Sequence, residues 1–251
     1  MSGHSKWASI KHKKAGTDAK RGKLFSRLSK EITIAAKIGG GDMDMNPRLR
    51  SAISAAKAAN MPKENIERAV KKGTGELPGV VYEEITYEGY GPGGVGIIIE
   101  CLSDNRNRAT GEVRSTLDRR GGNLASNGAV SWQFNKKGFI TIEISATDED
   151  TIFTVVTDAG ADDMEINDGF YEITIPVENF EDVKKAIEDA GIKTNVNELT
   201  MLPSSTVKIE KEKEAAALMR LIDALEDLDD VQNVYANFDM SQELLEKLAA
   251  E

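Results

Sequence analysis

The chain has 251 residues, a length that suits two or three compact domains rather than one small core. Hydrophobic residues make up 40 % of it and charged residues 29 %, a composition that excludes a disordered chain and a membrane protein. No stretch approaches the roughly 20 apolar residues that cross a bilayer, and the first residues lack the apolar segment of a secretion signal, so we expect a cytoplasmic protein. The single cysteine, Cys101, excludes an internal disulfide and a cysteine-based zinc site.

Charge is divided unevenly along the chain. The formal net charge is −10, yet the first 78 residues hold 17 Lys+Arg against 7 Asp+Glu, and the remainder holds 15 against 35. Because Lys and Arg are the residues that bind phosphates, a polyanionic partner is expected at the basic N-terminal part. The acidic remainder is expected to stay solvated and to repel the same partner.

The N-terminal part is predicted to be helical. Its predicted elements are an exposed basic arm (2–16) and three helices (17–39, 46–60 and 62–73). The second helix has Asn46 as its cap and Pro47 in its first turn, and the third ends at Gly73. Residues 1–79 are therefore predicted to form a basic helical domain with an arm.

Strands and helices alternate in the next part of the chain. The predicted strands are 83–87, 95–102, 129–134, 206–210 and 233–238, and the predicted helices are 105–120 and 212–228. Two strand-helix-strand halves of this kind form one split β-α-β sandwich of the ferredoxin-like type. The glycine-rich segment 89–96 lacks a Lys-Ser/Thr ending and precedes a strand, so it predicts a tight hairpin and not a phosphate loop.

A complete second set of elements lies between these two halves. Its predicted strands are 139–144, 163–166, 171–176 and 195–202, and its predicted helices are 148–159 and 179–190. The fold class is therefore α+β: an N-terminal three-helix domain followed by two ferredoxin-like α/β sandwich domains, one inserted in the other. The predicted boundaries are 80–136 plus 204–251 for the split domain and 137–203 for the inserted domain. One more helix is expected after Ser241.

The basic arm and first helix are the main predicted nucleic-acid site. Residues 1–37 contain 10 Lys+Arg and only two acidic residues, whereas a merely solvated helix face normally mixes both signs. The predicted binding residues here are Lys6, Trp7, Lys11, His12, Lys13, Lys14, Lys20, Arg21, Lys23, Arg27 and Lys30. Trp7 either stacks on a base or packs back on the neighbouring helix. We expect reversal of Lys23, Arg27 and Lys30 to Glu to abolish polyanion binding and to leave the thermal transition nearly unchanged.

A second basic patch is predicted on the helix at 105–120. Its predicted binding residues are Arg106, Arg108, Arg119 and Arg120, whose forked guanidinium groups suit phosphate recognition. Arg108 and Arg119 point away from the apolar side of this helix and should be exposed. A charged outer face on a helix packed against a sheet explains the same residues equally well.

Catalysis, cofactors and metals are not predicted. His4 and His12 have no Asp or Cys at metal-ligand spacing, so they are interpreted as solvent-exposed or phosphate-contacting side chains. The acidic clusters, such as 226–230, are scattered over predicted helix ends and do not predict converging carboxylates of a metal-dependent enzyme. Cys101 lies in an apolar strand and is interpreted as a core residue. We expect a non-enzymatic protein with no small-molecule substrate and no membrane partner.

Several segments identify a resemblance to a known family. The opening stretch 1–14, followed by 18–23, closely resembles the YebC family, and the resemblance continues through 60–63, 87–94, 104–108 and 128–132. It covers essentially the whole chain. It implies a three-domain cytoplasmic protein described as a probable DNA-binding transcriptional regulator. The family also includes a mitochondrial translational activator of cytochrome oxidase, and bacterial members have been linked to ribosomes stalled on proline-rich nascent chains.

Three functions are weighed. The first is a DNA-binding transcriptional regulator, although the third helix carries Arg68, Lys71 and Lys72 near its C-terminal end, where recognition helices rarely read bases. The second is a ribosome-associated translation factor that binds ribosomal RNA, which the separation of charge slightly favours. The third is a protein-interaction scaffold, which has the least support because solubility does not require one sign of charge to be concentrated.

Overall fold

The structure, a computed structural model, describes residues 18–250, apart from the side chains of 18–20, 242, 249 and 250. Its helices are α1 (Asp18–Gly39), α2 (Pro47–Ala58), α3 (Lys63–Gly73), α4 (Arg106–Arg119), α5 (Glu149–Asp158), α6 (Phe180–Asp189), α7 (Glu212–Glu226) and α8 (Gln242–Ala250). Its strands are β1 (Glu83–Tyr90), β2 (Gly96–Ser103), β3 (Asn123–Leu124), β4 (Phe134–Glu143), β5 (Asp163–Asn167), β6 (Phe170–Ile175), β7 (Val196–Pro203), β8 (Val207–Lys208), β9 (Val231–Ala236) and β10 (Phe238–Asp239). The predicted α+β fold class is confirmed.

The three N-terminal helices form where the sequence predicts them. Asn46 caps α2 by accepting a hydrogen bond from the Leu49 backbone N–H, and Pro47 occupies the first turn. The apolar faces meet in a core that includes Ile32, Leu49 and Ile66. Helices α1 and α3 approach most closely at Gly73, where a Cβ atom would lie only 2.4 Å from the carbonyl oxygen of Thr33.

The first sheet has the strand order β3-β1-β2-β9. Strands β1 and β2 form the predicted antiparallel hairpin, in which Glu83 pairs with Ser103. Helices α4 and α7 pack against each other. Their buried residues include Ala109, Val113 and Leu117 on α4 and Leu218, Leu221 and Leu225 on α7. In the order of a ferredoxin-like sheet, β1 takes the place that the third strand usually occupies, although it comes first in the chain.

One predicted strand of the split domain, 129–134, is wrong, and another, 206–210, is shorter than predicted. Residues 129–134 do not add a strand to the first sheet, because a turn and a short 3₁₀ helix (Ser131–Gln133) satisfy their backbone N–H groups. The two-residue strand β3 takes that place at the edge of β1. The strand predicted at 206–210 is reduced to β8, which pairs in parallel with β10 outside the four-stranded sheet.

The second sheet has the strand order β5-β6-β4-β7 with all neighbours antiparallel. Together with α5 and α6 it reproduces the complete ferredoxin-like order that the sequence predicts for the inserted set. The core contains Ile140, Ile173 and Val183, which are fully buried.

The described residues divide into two compact units. Residues 18–129 and 211–234 form one, and residues 130–210 and 235–250 form the other. The domain boundaries at 79/80, 136/137 and 203/204 stay a prediction. No helix among residues 18–250 is long and apolar enough to cross a membrane.

Candidate nucleic-acid interface

The residues predicted to contact nucleic acid fall into three groups. Lys6, Trp7, Lys11, His12, Lys13 and Lys14 lie outside the described residues, as does the side chain of Lys20. Arg21, Lys23, Arg27 and Lys30 lie on α1, and Arg106, Arg108, Arg119 and Arg120 lie at α4. Arg21 is exposed and its guanidinium lies 5.4 Å from the ring centroid of Phe25.

Lys23 and Arg27 of α1 contact the C-terminal end of α7, and Lys30 contacts the segment that follows it. Lys23 Nζ lies 2.9 Å from the carbonyl oxygen of Asp227, and Arg27 donates to the carbonyl oxygen of Glu226. Lys30 Nζ lies 2.9 Å from the carbonyl oxygen of Asp229. The last carbonyl groups of a helix have no partner within the helix and lie at the negative end of its dipole, so cations stabilise them.

Asp230 is the centre of this contact. Its carboxylate accepts hydrogen bonds from Lys30 Nζ at 2.8 Å, Ser103 Oγ at 2.7 Å and Arg108 Nη2 at 2.8 Å. The side chains of Asp230 and Lys30 are only 5 % and 14 % exposed. The positive charge of Lys30 therefore stabilises the folded state, and so does that of Arg108, which also pairs with Asp104.

These contacts correct one expectation from the sequence. Reversal of Lys23, Arg27 and Lys30 was expected to leave the thermal transition nearly unchanged. Lys30 is instead the partner of a buried carboxylate, and removing one member of a buried pair leaves an uncompensated charge. The partners lie about 200 positions further along the chain, at sequence separations of 199 to 204, so local pattern does not reveal them.

The ionisation of Asp230 gives a pH-dependent contribution to stability. Burial raises the pKa of its carboxyl, but hydrogen bonds from Lys30, Ser103 and Arg108 outweigh burial and hold the pKa below its ordinary value. Because the pKa is depressed in the folded state, this contribution is present above the ordinary carboxyl pKa of about 3.9 and is lost as the pH falls through the folded value.

We therefore expect the stability difference between the wild-type chain and the Asp230→Asn variant to narrow on acidification. Urea unfolding of both proteins at neutral pH and near pH 3 measures the difference in unfolding free energy. A difference that stays the same at both pH values would show that the ionised form of Asp230 contributes nothing.

A groove between α1 and α3 was not predicted as part of the site. It has a volume of about 370 Å³. The residues that line it are Phe25, Ser26, Ser29, Lys30, Thr33, Asn65, Arg68, Ala69, Lys72, Val80 and Tyr82. Of the described residues, no Asp or Glu lines it. By contrast, a second cleft of about 720 Å³ beside Lys23 and Arg27 is also lined by Asp104, Glu112 and Asp229.

The cations of α3 are exposed. Arg68, Lys71 and Lys72 have no ion-pair partner in the described part of the chain. In the sequence, their place near the C-terminal end of α3 argues only against a recognition helix. The sequence does contain a signal for a shared site: Arg68 and Lys72 are four residues apart, a spacing that places two side chains on one face of a helix.

The outer face of α4 carries a second group of exposed cations. Arg108 and Arg119 are exposed, which confirms that prediction. Arg106, Arg119 and Arg120 make no ion pair within residues 18–250, in contrast to Arg108. They are therefore available to phosphates, whereas the guanidinium of Arg108 is held by two carboxylates.

The structure offers little for catalysis among the residues it describes. Cys101 is buried, as predicted, and burial together with nearby Asp230 raises the pKa of its thiol to about 12, so the thiol is protonated at neutral pH. Within residues 18–250, no group of three or more His, Cys, Asp and Glu side chains could hold a metal ion.

A helical N-terminal region with exposed cations, followed in the chain by two four-stranded sheets with helices, defines the class of the protein: an α+β protein with a cationic helical region. Two family models match it, one described as the TACO1/YebC protein N-terminal domain over residues 5–76 and one as the TACO1/YebC second and third domain over residues 82–238. The chain belongs to the TACO1/YebC family, as the resemblance in the sequence indicated.

Similar proteins come from several bacteria. A probable transcriptional regulatory protein of Syntrophobacter fumaroxidans is 54 % identical over 249 residues, with 99 % of this chain and 100 % of the relative covered. Another of the same description from Persephonella marina is 56 % identical over 250 residues, with the same coverage. The crystal structure of a conserved hypothetical protein, Aq1575 from Aquifex aeolicus, has a TM-score of 0.79 and 45 % identity, and covers 89 % of this chain and 92 % of that one.

Proposed function

We propose that this chain is a non-enzymatic, cytoplasmic regulator of gene expression that binds nucleic acid through exposed cations of α3 and α4. The observation that carries the proposal is a group of exposed cations on α3 and at α4 that have no carboxylate partner among the described residues: Arg68, Lys71, Lys72, Arg106, Arg119 and Arg120. Such groups neutralise phosphates and release counterions. Relatives described as probable transcriptional regulatory proteins support a role in gene regulation.

A second candidate, a ribosome-associated translation factor that binds ribosomal RNA, is favoured by the position of the cations on α3. They lie in its last two turns, whereas a recognition helix in the major groove contacts bases mainly from its N-terminal residues. The first turn of α3 carries Glu64 beside Lys63, and Lys63 pairs with Glu67. The unit that contains residues 130–210 is acidic, because these residues hold 6 Lys+Arg against 17 Asp+Glu. Such a unit would point away from ribosomal RNA or contact basic ribosomal proteins.

Binding at increasing salt tests the proposed function. We expect the full chain to bind nucleic acid, with the logarithm of its affinity falling linearly as the logarithm of salt concentration rises, by about 0.7 to 0.9 per phosphate contacted. Fluorescence anisotropy with labelled DNA duplex and with ribosomal RNA fragments measures this slope. Absence of binding to both probes at low salt would contradict the proposed function.

Sedimentation through a sucrose gradient separates the two candidates. Co-migration with ribosomes that is lost at high salt, and in a variant with Arg68, Lys71 and Lys72 changed to Gln, favours the translation factor. Absence from ribosomes, with recovery of specific chromosomal fragments on the protein, favours the transcriptional regulator. Nuclease-treated lysate serves as the control for indirect association.

A further inference from the structure

The groove between α1 and α3 combines three kinds of chemistry in one concavity. Phe25 and Ser29 are four residues apart on α1, and Arg68 and Lys72 are four apart on α3, so each pair lies on one helix face toward the groove. Tyr82, from the segment that precedes β1, contributes a second aromatic ring. Rings, cations and short polar side chains therefore line a single space of about 370 Å³.

The floor of this groove is fixed by packing of the two helices. Thr33 Oγ1 lies 2.8 Å from the carbonyl oxygen of Ser29 and 3.2 Å from that of Ala69. The close approach at Gly73 holds the helices together at one end. The two helices therefore fix the floor of the groove, while Val80 and Tyr82, from the non-helical segment before β1, complete its wall.

The polar side chains at the wall of the groove are available to a ligand. In the part of the chain that the structure describes, the side chains of Ser29, Asn65 and Tyr82 have no hydrogen-bond partner. Tyr82 is partly buried, which raises the pKa of its hydroxyl, so the hydroxyl keeps its proton at neutral pH and can donate. Lys30 Nζ lies 5.6 Å from the centroid of the Tyr82 ring but is committed to Asp230. Arg68 and Lys72 thus remain as the cations for a ligand.

We propose that this groove binds one unstacked nucleotide of a single-stranded RNA. The base lies against the rings of Tyr82 and Phe25, its phosphates meet Arg68 and Lys72, and Ser29 and Asn65 hydrogen-bond the base edge or the ribose hydroxyl. Single strands are recognised in this way, by splayed bases stacked on aromatic side chains, and the 2′-hydroxyl distinguishes RNA from DNA. A space of a few hundred Å³ suits one nucleotide. A duplex would first have to unstack and unpair a base to place it in the groove, so a single strand should bind better.

The inference rests on the proposed function and deepens it, and single substitutions in the full chain test it. Fluorescence anisotropy with an unstructured, mixed-sequence RNA oligonucleotide measures affinity, with the DNA strand of the same sequence and a DNA duplex as comparisons. We expect Tyr82→Leu to weaken RNA binding by about fivefold or more, because a base loses its stacking partner, and Tyr82→Phe to retain most of it. Arg68→Gln should weaken binding and make its salt dependence shallower.

Lys71→Gln is the matched control. It removes the same charge from the same helix, but Lys71 does not line the groove. We expect it to weaken RNA binding less than Lys72→Gln does. Equal effects of these two variants, or unchanged binding by Tyr82→Leu, would overturn the groove assignment while leaving the proposed function intact. Wild-type protein that binds no nucleic acid would instead remove the proposed function itself.

Two further measurements keep the test sharp. If Tyr82→Leu fails to fold, cross-linking of the wild-type chain to RNA that contains 4-thiouridine replaces it. Cross-links on peptides that contain Phe25 or Tyr82 support the groove, and cross-links confined to α4 overturn it. Equal affinity for the RNA strand and for the DNA strand or duplex also overturns the assignment. Displacement of the RNA by low concentrations of adenosine monophosphate overturns it as well, because the groove would then be a site for a free nucleotide.

Discussion

Replacing Asp230 by alanine is expected to lower the free energy of unfolding by about 3–5 kcal/mol. The carboxylate is 5 % exposed and is shared by Lys30 and Arg108, whose cationic nitrogens each lie 2.8 Å from it. Ser103 adds a third hydrogen bond at 2.7 Å. Removal of the carboxylate leaves the largely buried ammonium of Lys30 without its ionic partner, which costs more than the pair itself contributes.

The neighbouring Asp227→Ala variant is the control for this prediction. Its carboxylate also pairs with a cation of α1, but the side chains of Asp227 and Lys23 are 76 % and 45 % exposed. Such a surface pair contributes at most about 1 kcal/mol. Urea unfolding followed by circular dichroism compares the two variants with the wild-type chain. Equal losses in the two variants would mean that burial of Asp230 adds nothing to the strength of its contacts.

The sequence predicts the helical region well because its signals are local. Asn46 and Pro47 mark the start of α2 by capping chemistry that acts within one turn. Apolar residues at helical spacing, such as Ile32 and Ile66, then identify the faces that form the core. The second sheet is equally accessible, since each of its strands is at least five residues long and shows a strand pattern.

The first sheet is harder to predict because its edge is set by tertiary contacts. Strand β3 has only two residues, too few for any periodicity, and it exists because it pairs with the end of β1. Residues 129–134 carry apolar side chains that resemble a strand. Gly128, at a φ of +85°, instead lies in a tight turn, closed by a hydrogen bond from the Ala129 N–H to the Ser126 carbonyl oxygen, that diverts the chain.

The candidate site is likewise predictable only in part. The sequence shows where positive charge is concentrated but not which charged side chains are paired in the fold. Lys30 and Arg108 look like phosphate ligands until the fold brings Asp230 between them. The sequence does not predict the groove for a related reason: Phe25, Arg68 and Tyr82 belong to three separate segments that only the fold brings together.

Two sets of charge-neutralising substitutions are expected to separate stability from nucleic-acid binding. The α1 set, Lys23→Gln/Arg27→Gln/Lys30→Gln, should lower the thermal transition, because the end of α7 loses two donors and buried Asp230 loses Lys30. The α3 set, Arg68→Gln/Lys71→Gln/Lys72→Gln, should leave the transition almost unchanged, since exposed side chains without partners contribute little to the fold.

The same α3 set should lose most of its affinity for nucleic acid, because each phosphate contact that is removed also removes the release of a counterion. Circular dichroism measures the thermal transition and fluorescence anisotropy measures RNA affinity, both on the same preparations of each set. Near-wild-type binding by the α3 set would place the interface elsewhere, with the outer face of α4 as the next surface to neutralise. A wild-type thermal transition in the α1 set would mean that Arg108 and Ser103 alone satisfy Asp230, so that the cations of α1 are free to serve nucleic acid after all.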